Sequence, residues 1–227
     1  EQAHRFRTQL GPPDERTEAI ARRASDHLSS AGRRASGRGD HVAAANLFRR
    51  AAAGGVRSAD RARILYDLGD ALQWVGELQP SFDAFDEAAR LASEAGDLSL
   101  ELMAGLRRSE TLMMTDPHAK STDEFRSELE DAIHVFEEVG DDAALATVWT
   151  QLAEIEWMPC RYDRAEIAAG RAIDHARRSG DERLLTNALL TSIKARMSGS
   201  TTPEEGIRGL DDLRDDPHRV ALADELA

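Results

Sequence analysis

One short phrase recurs along this chain and governs what it can fold into. Glu94-Ala95-Gly96-Asp97 returns as Glu138-Val139-Gly140-Asp141 and as Arg178-Ser179-Gly180-Asp181, each time closing an amphipathic stretch that aligns with the others without gaps. A glycine just past a helix takes the left-handed conformation that ends it, and an aspartate beside it accepts from the free N–H groups of the next helix. Each Gly-Asp is therefore a joint between two helices. With Gly11, Gly55, Gly96, Gly140 and Gly180 as joints the spacings are 44, 41, 44 and 40, and Asp216-Pro217 marks another joint 36 residues on. The pattern predicts five helix pairs, 12–55, 56–96, 97–140, 141–180 and 181–216, in one array with partial repeats 1–10 and 217–227.

Within each pair a second turn separates a first helix from a second. Arg38-Gly39-Asp40, Val75-Gly76-Glu77 and Pro159-Cys160-Arg161 are the short ones. The third pair turns from Thr115 to Thr122 through Asp116-Pro117, and the fifth from Ser198 to Pro203, where proline suits a first helical turn. These turns bring the residues into register with the tetratricopeptide pattern of bulky, Leu-Gly, small and aromatic positions. The second pair reads Leu65, Leu68-Gly69, Leu72, Ser81, Phe85, Ala88; the first reads Leu28, Ala31-Gly32, Ala35, Ala44, Phe48, Ala51. The fourth reads Trp149, Leu152-Ala153, Ala165, Ala169, Ala172, and the third fits poorly because Arg108 falls where leucine is expected. The expected fold is an all-α, right-handed superhelical array of antiparallel helix pairs with a period of about 41, longer than the ~34 of the simple repeat.

Composition agrees. The chain holds 37 alanines and 5% aromatics, so its interior is filled by closely approaching helices. No apolar run approaches the roughly 20 residues that cross a bilayer, no signal-peptide pattern opens the chain, and a single cysteine, Cys160, forms no internal disulfide. A soluble protein of the cytoplasm is expected. Lysine plus arginine number 29 against 42 aspartates plus glutamates, a net charge of −13 that disfavours direct binding of nucleic acid.

No catalytic constellation emerges. Ala119-Lys120-Ser121 lacks the glycine of a phosphate loop and follows a helix instead of a strand. The histidines His4, His27, His41, His118, His134, His175 and His218 are scattered, without two metal ligands on one helical face. Cys160 lies in a turn, and Asp211, Asp212, Asp215 and Asp216 read as a solvated helix end. The segment is expected to be no enzyme, with no cofactor and no metal.

What remains is a surface. Stacked helix pairs line their concave side with first helices, where such arrays bind peptides or partner helices. The register places Tyr66, Asp70, Gln73 and Trp74 there from the second pair, Glu110, Met113 and Met114 from the third, and Thr150, Glu154, Trp157 and Met158 from the fourth. Trp74, Met114 and Trp157 either form an apolar stripe for a partner or seal the junction between first and second helices as core. Trp149, Phe48 and Phe85 occupy packing positions and are read as core.

The passage EQAHRFRTQLGPPDERTEAIARRASDHLSSAGRRASGRGDHVAAANLFRRAAA resembles the C-terminal repeat region of large actinobacterial signalling ATPases, and the likeness continues through TDPHAKSTDEFRSELEDAIHVFEEVGDDAALATVWTQLAEIEW and CRYDRAEIAAGRAIDHARRSGDERL. In that family a nucleotide-binding switch domain precedes tetratricopeptide-like repeats, behind an adenylate/guanylate cyclase domain or a DNA-binding regulator domain. The resemblance implies a protein-interaction or effector-sensing arm of a bacterial multidomain regulator, cut from a longer chain. Its partner would be a protein, peptide or small effector in the groove, together with upstream domains of the same chain. The alternative is a self-associating scaffold that brings upstream catalytic domains together.

Overall fold

The computed structural model describes residues 15–54, 57–116 and 118–199. Among these are nine helices and no strand: α1 (Glu15–Ser36), α2 (His41–Ala52), α3 (Ser58–Val75), α4 (Leu78–Ala95), α5 (Leu98–Thr115), α6 (Thr122–Val139), α7 (Asp142–Trp157), α8 (Tyr162–Ser179) and α9 (Glu182–Ser198). The joints at Gly11, Gly55 and Asp216-Pro217, the partial repeats, the second helix of the fifth pair, His4, His218 and the aspartate run lie outside the described residues. The chain divides into two compact units, residues 1–121 and 122–227.

The local chemistry of the joints is as the sequence predicts. Gly96, Gly140 and Gly180 hold φ of 73°, 71° and 70°. The aspartates after them cap the next helix: Leu100 N–H donates to Asp97 at 3.1 Å, Ala144 N–H to Asp141 at 3.0 Å, and Arg183 and Leu184 N–H to Asp181. Asp97, Asp141, Glu77, Asp40 and Arg161 each also donate their own N–H back to the carbonyl five residues earlier, which ties off the last turn of the preceding helix. At Pro159-Cys160-Arg161 the left-handed residue is Cys160, with φ 61°. A cysteine there does what glycine does at the other joints, at a steric cost.

In the first unit each helix packs on its neighbour in sequence from α1 to α5, and α3 also touches α1 and α5. The core between the helices is alanine and leucine around two phenylalanines, Phe48 and Phe85, both fully enclosed and each contributing about 2–3 kcal/mol by burial. Each ring lies against the glycine of the facing helix: a Cβ on Gly32 would stand 2.7 Å from Phe48, and one on Gly69 would stand 2.7 Å from Phe85. The approach of α4 to α3 is fastened by the buried Ser81 hydroxyl, which donates to the Gly69 carbonyl at 2.8 Å. Ser25 on α1 does the same to the Ala51 carbonyl at 2.9 Å.

The second unit packs α6 on α7, α7 on α8, α8 on α9, and α7 on α9. Phe125, Leu129, Phe136 and Val148 are its largest enclosed side chains. At the positions of Gly69 and Phe85 it has Ala153 and Ala169, both fully enclosed, so a methyl gained on one helix accompanies a ring lost from the other. Trp149, expected as core, is half-buried, with the Arg171 guanidinium 5.4 Å over its ring. In place of the leucine of α3 (Leu72), α7 buries Glu156, whose Oε1 accepts from Arg126 Nε at 2.5 Å while Oε2 lies 3.5 Å from Arg161. Two guanidiniums make that carboxylate tolerable in the core.

Candidate functional site

In the first unit the candidate residues fall on the first helices α3 and α5, from mid-helix at Tyr66 to the C-terminal turns. The organising side chain is Arg107, which the sequence reading missed. It reaches from α5 to α3 with only 15% of its side chain exposed, donates from Nε to Asp70 at 2.9 Å, and bonds Gln73 Oε1 and Glu110. Its guanidinium also lies 5.6 Å over the Phe85 ring. Burial alone would weaken its charge; Asp70, Glu110 and Tyr66 more than offset that and hold it protonated far beyond the ordinary range. Two carboxylates around one guanidinium leave one net negative charge in this network. Tyr66 packs on the core and meets Phe85 edge-on, so it supports the network instead of projecting from it.

Gln73 extends the network. Its Nε2 lies 3.4 Å from both Thr111 Oγ1 and Met114 Sδ. Next to it Trp74 is 73% exposed, and Met114 is 55% exposed. For Trp74 the core alternative is thereby replaced: its indole stacks in parallel on His41 of α2, ring centres 5.2 Å apart, and is otherwise in solvent. Met113 is half-buried beside this pair.

The second unit arranges its candidates differently. Trp157 on α7 is half-buried, its Nε1 donates to Ser198 at 3.0 Å, and the Lys194 ammonium stands 3.8 Å over its ring, with the Tyr162 ring tilted against it 6.5 Å away. That tryptophan is engaged by α9, so it does not belong with Trp74 and Met114 as an open apolar residue. The residue in their register is Met158, which is 67% exposed. Glu154 is exposed, and the half-buried Thr150 hydroxyl is spent on the Ala146 carbonyl of its own helix.

His175 Nδ1 lies 2.7 Å from Asp142 Oδ1, beside Arg178, and Cys160 is exposed. Among the described residues no three His, Cys, Asp or Glu side chains gather as a metal site would need, and no helix is long and apolar enough to cross a membrane. Arg107 had a partial signal in the sequence, its i,i+3 relation to Glu110. His41 and Lys194 had none, because each meets its tryptophan across more than 30 residues.

No protein-family model matches the chain, and no curated protein does. Among solved structures it is similar to aspartyl phosphate phosphatase F from Bacillus subtilis, at 14% identity and TM-score 0.61 over 89% of this chain and 52% of that one. It is also similar to a signal transduction ATPase with numerous domains, bearing a tetratricopeptide repeat sensor, from Pyrococcus horikoshii, at 13% identity and TM-score 0.57 over 90% of this chain and 32% of that one. A third likeness is to the Rap conjugation gene regulator of the plasmid pLS20 in complex with a Phr peptide, at 12% identity and TM-score 0.54 over 84% and 62%. The chain thus spans about half the length of the phosphatase. At these identities the likeness is one of fold, and the fold is an all-α tetratricopeptide-like helical repeat array.

Proposed function

We propose that this chain is a non-catalytic recognition module of a multidomain signalling or transcriptional regulator, binding a peptide or protein segment on the face of its first helices. The observation that carries this reading is the neighbourhood of Trp74 and Met114. Large apolar side chains held open to water beside a hydrogen-bonded polar network are costly unless a partner covers them. Arg107, Asp70, Gln73 and Glu110 fix the backbone and rotamers around the pair, so little order has to be gained on binding. The similar Rap regulator was solved with a peptide, and the similar ATPase carries its repeats as a sensor; both agree with a sensing arm.

The test is binding of a random-sequence peptide library to the 227-residue chain. Trp74→Ala and Met114→Ala should each lower the bound fraction severalfold, whereas Ile167→Ala, an exposed apolar residue on the second helix α8, should leave it unchanged. Equal effects at all three sites would refute the assignment of the face. The competing scaffold reading predicts a concentration-dependent sedimentation coefficient, and a monomer over a wide concentration range removes it.

A further inference from the structure

Resting on the reading of the first-helix face as a peptide surface, we propose that Trp74 is a platform for a cationic side chain, a lysine or arginine of the bound segment, and that an apolar residue beside it lies on Met114. The ring has two faces with different fates. One is closed by the parallel imidazole of His41, 5.2 Å away at 11°. The other is open, in a residue that is mostly in solvent. The face of an indole carries negative quadrupole density and attracts a cation, more strongly as the cation is desolvated.

The molecule already contains such a contact. Two first helices further along the chain, on α7, the protein covers Trp157 with its own Lys194 ammonium at 3.8 Å. Among the described residues no internal cation stands over the open face of Trp74. The surroundings select the same sign of charge. Asp70 and Glu110 outnumber Arg107 by one, and the chain as a whole carries −13. An acidic segment would meet these carboxylates unfavourably. Met114, tethered through Gln73 to the same network, offers a polarisable apolar contact next to the ring.

The experiment pans a phage-displayed library of random dodecapeptides on the full chain, and then measures the selected sequences as free synthetic peptides by fluorescence anisotropy. The expected result is enrichment of lysine or arginine at one position beside a large apolar residue. Replacing that lysine by norleucine, or arginine by citrulline, should weaken binding about tenfold, and Trp74→Leu should do the same to the unmodified peptide. The two changes together should cost little more than either alone, and far-UV circular dichroism of Trp74→Leu should match that of the wild type. Uncharged peptides binding as tightly as charged ones, or undiminished affinity of Trp74→Leu, would overturn the cation platform while leaving the peptide surface standing. A library that yields no binder would overturn both. Self-association abolished by Trp74→Leu would assign the platform to a second copy of the chain and would also overturn the proposal.

Discussion

Replacing Gly69 by alanine tests the packing that holds α3 against α4. In an exposed helix interior this substitution stabilises by roughly 0.8–1 kcal/mol, because glycine has more backbone freedom to lose. At Gly69 the new methyl would stand 2.7 Å from Phe85 Cε1 and 2.8 Å from Cδ1 and Cζ. Carbon atoms are comfortable at about 3.5–4.0 Å, so the ring or the helix must yield by most of an ångström. Phe85 is fully enclosed, and the Ser81–Gly69 hydrogen bond at 2.8 Å resists separation of the helices. Overpacking of this kind costs about 1–3 kcal/mol, and stretching the buried bond adds about 1 kcal/mol. The helix gain offsets part of this, and the net loss should be about 1–3 kcal/mol.

Gly105 on α5 provides the internal control, since a Cβ there meets nothing within 4 Å. Gly105→Ala should therefore stabilise by about 0.4–1 kcal/mol. With a mid-range urea slope of about 2 kcal/mol per molar, the two variants should move the midpoint in opposite directions, by roughly 0.5–1.5 M for Gly69→Ala. Adding Phe85→Leu to Gly69→Ala should cost less than Phe85→Leu in the wild type, as the natural Ala153 and Ala169 pairing suggests. A Gly69→Ala protein as stable as Gly105→Ala would refute the close-packing argument.

Removing Arg126 by alanine leaves the buried Glu156 with only the distant Arg161; calorimetry should show a loss of about 2–4 kcal/mol, recovered largely by adding Glu156→Leu, the residue type α3 carries there. Cys160→Gly should raise the melting temperature, because a side chain in the left-handed region costs roughly 1–2 kcal/mol, part of which returns as glycine's extra freedom when unfolded; Cys160→Ala should not. Hydrogen bonds from His175 and then Arg178 hold the Asp142 carboxyl below its ordinary value of 3.8. Its contribution is therefore present above about pH 4 and lost as pH falls through the lowered folded value, so Asp142→Asn should flatten the acid limb of a stability–pH curve. The Glu87 carboxyl, lowered from 4.5 chiefly by its hydrogen bond to Arg90, adds loss of the same sign, and Glu87→Gln should remove it.

Helix boundaries, joints and packing positions were legible in the sequence because their causes are local. A left-handed glycine and a capping aspartate act within a turn or so, and the Gly69–Phe85 contact spans one helix pair, so a repeat alignment finds both. Even the departure at Cys160 sits where the pattern demanded a joint. The two tryptophans at the ends of first helices could not be separated that way. Trp74 and Trp157 stand one position apart in the repeat register, in the second and fourth pairs, and what distinguishes them is supplied from 33 and from 37–41 residues away: His41 behind the one, Lys194 and Ser198 over the other. The same holds for Arg107, an unremarked surface residue by its register until α3 brings Asp70 and Gln73 to it. Chain-local capping chooses where the helices begin and end. Exposure and charge pairing are properties of neighbouring helices, and only their packing decides which aromatic ring is left open.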